Sequence, residues 1–150
     1  MRYVIASDHA GLNLKSLVGC RLRDRGLEVE DLGTHAGESA DYPDIAEAVA
    51  RTVARGDASA GVLVCGSGIG VSIAANKISG VRAAVCRTAY EARMARLHND
   101  ANVLCLGERV TGPGLVEEIL DAWLDTDFEG GRHRRRVDKI RALENQEEES

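Results

Sequence analysis

Five short apolar runs rich in β-branched residues recur along the chain: YVIAS from Tyr3, LEVEDL from Leu27, GVLVCG from Gly61, VRAAVC from Val81 and NVLCLG from Asn102. Each reads as a strand, and the stretches between them carry apolar residues at helical spacing. Parallel strands need crossover connections and helices supply them, so the alternation predicts an α/β fold with a parallel sheet covered on both faces. The 150 residues, 44% of them hydrophobic, suffice for one such domain with its own core. The acidic end, from about residue 146 to residue 150, is expected to fray.

The helical segments carry start and stop signals. Leu14, Leu17, Val18 and Leu22 share one face of the first, which stops near Gly26. In DYPD, Pro43 suits the first turn of a second helix whose Ile45, Val49 and Val53 form an apolar face and which Gly56 ends. VSIAANK predicts a helix after the third strand, and Thr88 and Glu91 of TAYE form a capping box for the next. Leu115, Val116, Ile119, Leu120, Trp123 and Leu124 follow Gly112-Pro113, and Gly130-Gly131 separates that helix from a charged final one.

Charge and cysteine usage narrow the function classes. A net charge of −5 and an aromatic content of 3% disfavour a nucleic-acid binder. RYVIAS offers no long apolar run, so neither a leader nor a membrane span is expected, and the reading is cytoplasmic. Cys20, Cys65, Cys86 and Cys105 are scattered without a CxxC pair, against both a zinc site and a disulfide framework.

In parallel sheets ligands gather at the carboxyl ends of strands. Cys65 stands at one such end, Asp8 and His9 at another and Arg87 at a third. Gly66, Gly68 and Gly70 let backbone approach a ligand closely, and a helix beginning there turns free amides toward it, as in an anion nest. Amides facing the Cys65 sulfur would stabilise a thiolate, although most free cysteines in strands are simply small buried hydrophobes. Val71 stands where a dinucleotide fingerprint needs its third glycine and where a cysteine phosphatase needs arginine; Cys65 stands where a phosphoacceptor receiver needs aspartate. Asp8 also suits a helix cap. His98 and Asn99 of LHND follow a helix, where imidazole can shuttle protons but a lone histidine is more often a surface residue. Arg132 and Arg136 lie four apart and share a helix face, fit for a phosphate or for solvent.

Taken in order, SDHAG, DYPD, CGSGIGVSIAANK, HNDANVLCLG and EGGRHRRRV resemble the type B ribose-5-phosphate isomerases and their galactose-6-phosphate isomerase relatives, over about residues 2 to 142. The resemblance implies a Rossmann-like three-layer sandwich with a five-stranded parallel sheet and an extra C-terminal helix. It also implies homodimers, or dimers of dimers, with active sites shared between subunits. The implied reaction interconverts an aldose phosphate and a ketose phosphate through an enediolate, with neither a metal nor an organic cofactor. By the same resemblance Cys65 is the base, and the amides from Gly66 through Gly68 to Gly70 stabilise the oxyanion. Ser67 binds or polarises substrate oxygens, His98 opens the sugar ring with Asp8 nearby, and Asn99 contacts the enediolate. His9, Arg109, Arg132 and Arg136 anchor phosphate and substrate, with Tyr42 at the edge. Ser67 stands where many relatives carry threonine, and Val71 where a second branch carries a catalytic glutamate, which places this chain with the cysteine-dependent branch. Ribose 5-phosphate and ribulose 5-phosphate are the leading pair. Erythrulose 4-phosphate and allose or galactose 6-phosphate are alternatives, and a non-catalytic sugar-phosphate sensor is disfavoured because Cys65, His98 and Asp8 occur together.

Overall fold

The structure, a computed structural model, describes residues 1–35 and 39–148. In chain order it contains β1 (Arg2–Ser7), a 3-10 turn (His9–Gly11), α1 (Leu12–Asp24), β2 (Glu28–Asp31), α2 (Tyr42–Ala54) and β3 (Ala60–Cys65). There follow α3 (Ile69–Ala75), β4 (Ala83–Val85), α4 (Ala89–Asn99), β5 (Val103–Gly107), α5 (Pro113–Leu124) and α6 (Arg132–Glu148). All five expected strands are present, with VRAAVC contributing only three residues to its strand. The last helix continues to Glu148, into the stretch expected to fray, while Glu149 and Ser150 lie outside the described residues.

The strands form one parallel sheet in the order β2-β1-β3-β5-β4. Side chains alternate between its faces with a period of two. Tyr3, Ile5, Val62, Val64, Leu104 and Leu106 pack with residues of α1, α4 and α5, including Val18, Leu22, Ala92, Ile119 and Trp123. Val4, Ala6, Leu63, Cys65, Val103 and Cys105 pack on the other face with Ile45, Val49 and Val53 of α2 and Val71 and Ala75 of α3. This is the α/β three-layer sandwich expected from the alternation, and each large aliphatic chain buried in it contributes about 1.5–3 kcal/mol. The phase of β3 therefore turns Cys65 toward the α2–α3 layer.

Local signals act where the sequence places them. Thr88 Oγ1 accepts from Glu91 N at 3.1 Å at the start of α4, and the Glu91 carboxylate accepts in return from Arg87 N at 2.9 Å, one residue before the cap, a variant of the expected capping box. Pro43 occupies the first turn of α2. Within one helical layer, Arg21 Nε donates to Asp121 Oδ1 at 3.1 Å, joining α1 to α5. A buried contact that the pattern does not reveal is Lys15, whose Nζ donates to Asp31 Oδ1 at 3.0 Å and to the Thr34 carbonyl at 2.6 Å. Among the described residues, no helix is long and apolar enough to cross a membrane.

Helix α6 sits apart from the two main layers. It packs on α4, buries His133 and Val137, and is tied further along by Gly80 N donating to Glu144 Oε1 at 3.0 Å.

Candidate active site

Strands β1 and β3 are neighbours whose onward connections lead to opposite sides of the sheet, and such a switch point opens a crevice beyond the carboxyl ends. A cleft of about 620 Å³ lies there, lined by Asp8, His9, Tyr42, Cys65, Gly66, Ser67, Gly70 and Arg109 together with the apolar Ile69, Ile73 and Val110.

Each polar group has a local reason for its position. Asp8 caps the 3-10 turn, accepting from Ala10 N at 3.0 Å through Oδ1, so the expected capping role holds while the residue also faces the cleft. Glu108 Oε1 accepts from Leu14 N at 2.6 Å and ties the first turn of α1 to the end of β5. The chain after β5 is stitched to the glycine loop through Glu108 N to the Cys65 carbonyl at 2.9 Å and Arg109 N to the Gly66 carbonyl at 3.0 Å. Those two bonds bring the Arg109 side chain beside Gly66, and the Tyr42 ring lies over Gly70.

Cys65 is buried and its Sγ accepts from Gly68 N at 3.1 Å. Gly68 adopts a φ of 80°, a left-handed conformation that turns its amide back onto the sulfur and that other residues reach only with strain. Burial and nearby Glu91 push the Cys86 thiol up to about 12, and burial raises Cys105 well above the usual thiol range. Both stay protonated at neutral pH. Ser67 Oγ accepts from Ile69 N at 3.2 Å, which leaves its hydroxyl proton to be donated into the cleft.

The other expected site residues lie elsewhere on the chain. His98 and Asn99 end α4, and Arg132 and Arg136 lie exposed on α6; none of them lines the cleft. Asn99 faces a second hollow of about 440 Å³ between the β4 edge and α6, with Arg82, Ile140 and Glu144. Arg87, at the end of the edge strand, also stays outside the cleft.

His133 escaped the sequence reading because it sits inside an arginine run. Its ring is buried and stacks on His98, with centroids 4.1 Å apart and planes within 10°. Among the described residues His98, Glu129 and His133 are the group whose ligand-type atoms converge, all within 4.8 Å of one another. Parallel rings direct their in-plane lone pairs side by side, whereas a tetrahedral ion needs them to converge, so the arrangement suits a proton better than a metal.

The profile of a family described as Ribose/Galactose Isomerase matches residues 3–140. The chain belongs to this family. Ribose-5-phosphate isomerase B of Escherichia coli (strain K12) is 50% identical over 137 residues, covering 91% of this chain and 92% of that one. A structure of ribose-5-phosphate isomerase B from Clostridium thermocellum superposes with a TM-score of 0.95 at 53% identity, covering 97% of this chain and 99% of the other. D-erythrulose-4-phosphate isomerase of Pectobacterium atrosepticum is 44% identical over 144 residues, 95% of each chain. The isomerase therefore acts in the aldose–ketose class on sugar phosphates, and its cleft lies where β1, β3 and β5 end.

Proposed function

We propose that the isomerase interconverts ribose 5-phosphate and ribulose 5-phosphate through an enediolate, with Cys65 as the base. The observation that carries this reading is the buried sulfur, held by the Gly68 amide, that lines the cleft beside Asp8, His9, Ser67 and Arg109. In the aldose-to-ketose direction the thiolate takes the proton from C2, the electron pair forms the C1–C2 double bond, and the carbonyl oxygen at C1 becomes an oxyanion. The remaining amides of the Gly66–Gly70 turn and the Ser67 hydroxyl face that oxygen. The sulfur then returns its proton to C1 while the hydroxyl proton at O2 passes to O1, so no atom is gained or lost. Asn99 contacts the enediolate, and His9, Arg109, Arg132 and Arg136 anchor the phosphate and sugar hydroxyls so that remote binding holds the reacting carbons against the sulfur.

One chain does not bring these groups together, since His98, Asn99, Arg132 and Arg136 lie off the cleft. We infer a homodimer, or a dimer of dimers, in which one subunit's α4–α6 groups complete the other's cleft. The apolar rim supports it: Tyr42, Ile69, Ile73 and Val110 are 43%, 46%, 58% and 54% exposed around the cleft mouth, a surface that a second copy would bury.

The substrate is tested with purified protein on ribose 5-phosphate, allose 6-phosphate, galactose 6-phosphate and erythrulose 4-phosphate, without added metal or nicotinamide. Ribose 5-phosphate is expected to lead by orders of magnitude. A second reading, the same chemistry on a four-carbon sugar, is favoured by the 44% identity to an erythrulose-4-phosphate isomerase, and a lead for that substrate would establish it.

Arg136→Ala tests the anchor. Losing charge-assisted bonds to phosphate is expected to raise KM about 10- to 100-fold while kcat falls much less. An unchanged KM in steady-state kinetics would remove Arg136 from the anchor.

A further inference from the structure

The turn between α5 and α6 carries a feature that the base chemistry does not use. Glu129 N donates to the Leu97 carbonyl at 3.0 Å, fixing the turn against the end of α4. Gly130 and Gly131 then reverse the chain, and His133 N donates to the Gly130 carbonyl at 3.0 Å as α6 begins. This geometry sets the Glu129 carboxylate over two stacked imidazoles, with Oε2 3.5 Å from His133 Nε2 and 4.0 Å from His98 Nε2. His133 Nε2 is buried and has no hydrogen-bond partner among the described residues.

Two imidazolium rings stacked at this separation repel each other. The two rings differ in setting. Burial, the adjacent His98 and the Arg132 and Arg136 guanidinia all lower the pKa of His133, with Glu129 opposing, whereas His98 is the more exposed ring and shares the carboxylate. A neutral aromatic face against a cation is also attractive.

We propose that His133 is a positioning residue for sugar-ring opening, holding the His98 ring plane by stacking while the Glu129 carboxylate lies against both imidazoles. The inference rests on the reading of His98 as the proton carrier in that step. When a furanose opens, the O1 hydroxyl loses its proton, the C1–O4 bond breaks and O4 gains a proton, leaving an aldehyde and a hydroxyl. His98 supplies the proton to O4 while the Asp8 carboxylate in the cleft takes the one leaving O1, and the His98 ring must be held in plane with O4 for the transfer to compete.

The experiment compares kcat/KM on ribose 5-phosphate with kcat/KM on 4-deoxyribose 5-phosphate, a five-carbon aldehyde that lacks the hydroxyl needed to close a furanose. His133→Ala is expected to lower the ratio of the two about 10- to 100-fold, the cost of a misplaced proton donor, while His133→Phe, which keeps a ring in the stack, restores most of it. A general structural defect lowers both substrates alike, so an unchanged ratio overturns the proposal. Glu129→Gln, on an exposed side chain, is measured in parallel. It too is expected to lower the ratio, and if His133→Ala does not fold, an unchanged ratio in Glu129→Gln overturns the proposal in its place. His98→Ala separates the two levels. If it lowers the ratio and the His133 variant does not, only the positioning role fails; if His98→Ala itself leaves the ratio intact, the ring-opening reading fails and the proposal fails with it.

Discussion

Cys65→Ala is expected to cut kcat about 100- to 10,000-fold, the usual contribution of a positioned general base, with KM for the preferred sugar phosphate little changed. The residue sits at the last position of β3, turned into the α2–α3 layer, with its sulfur held by one amide. In the proposed mechanism, removing the sulfur deletes the proton acceptor and leaves the arginines assigned to the phosphate in place. The substituted side chain is small and stands at the cleft, so thermal unfolding of the variant should change little beside the loss of rate. Neither Cys86 nor Cys105 can take over, since burial holds both thiols protonated. Steady-state kinetics on the preferred substrate decide the matter, and full turnover by the variant would assign proton abstraction to another group.

Gly107→Ala is the second substitution with a large expected effect, although Gly107 is not itself a candidate for chemistry. It ends β5 directly beside Cys65 in the sheet register. A Cβ at this position would lie 2.6 Å from Ser67 C, 2.7 Å from Ser67 O and 2.8 Å from Ser67 Cα. These are backbone atoms, which cannot turn aside as a side chain would, so either β5 or the Gly66–Gly70 loop must move. Overpacking of this kind costs about 1–3 kcal/mol, and each kcal/mol is worth roughly 2–4 °C in Tm for a domain of this size. The greater consequence is catalytic. Because the same loop carries the amide that holds the Cys65 sulfur, a displacement near 1 Å is expected to cost about 100-fold in kcat. Calorimetry paired with kinetics tests this, and a variant with wild-type kcat would show that the loop does not need the space.

Much of the fold is legible in the sequence because burial and crossover connections constrain it strongly. The apolar runs around Val4, Val62 and Leu104 lie in the sheet interior, and the periodicity of Ile45, Val49 and Val53 matches the face of α2 that is buried. Strand order is different. Nothing in the alternation says that β5 inserts between β3 and β4, because crossover helices of similar length serve either arrangement. The cleft residues at the strand ends follow from the general rule for parallel sheets, so Asp8, His9 and Cys65 could be placed from sequence, whereas the approach of Tyr42 and Arg109 depends on loop geometry. His133 shows the opposite failure. Its neighbours in the chain are arginines exposed on α6, and the run reads as a solvated face; the available signal was the four-residue spacing from Glu129 across a Gly-Gly turn. Lys15 was equally hidden, since a lysine on an amphipathic helix ordinarily reaches solvent instead of a buried carbonyl.

The separation of Cys65 from the α6 arginines bears on how such enzymes diverge. In the proposed dimer, the proton-transfer apparatus is held by the sheet, while Arg132 and Arg136 of the phosphate grip belong to a peripheral helix on the other subunit. The span between them works as a length gauge for the sugar. A small change in how two subunits dock, or in how α6 leans on α4, would reset that gauge by one carbon without disturbing the thiol or its amide. Selection for sugars of different length could then act at the subunit boundary while the proton chemistry stayed unchanged.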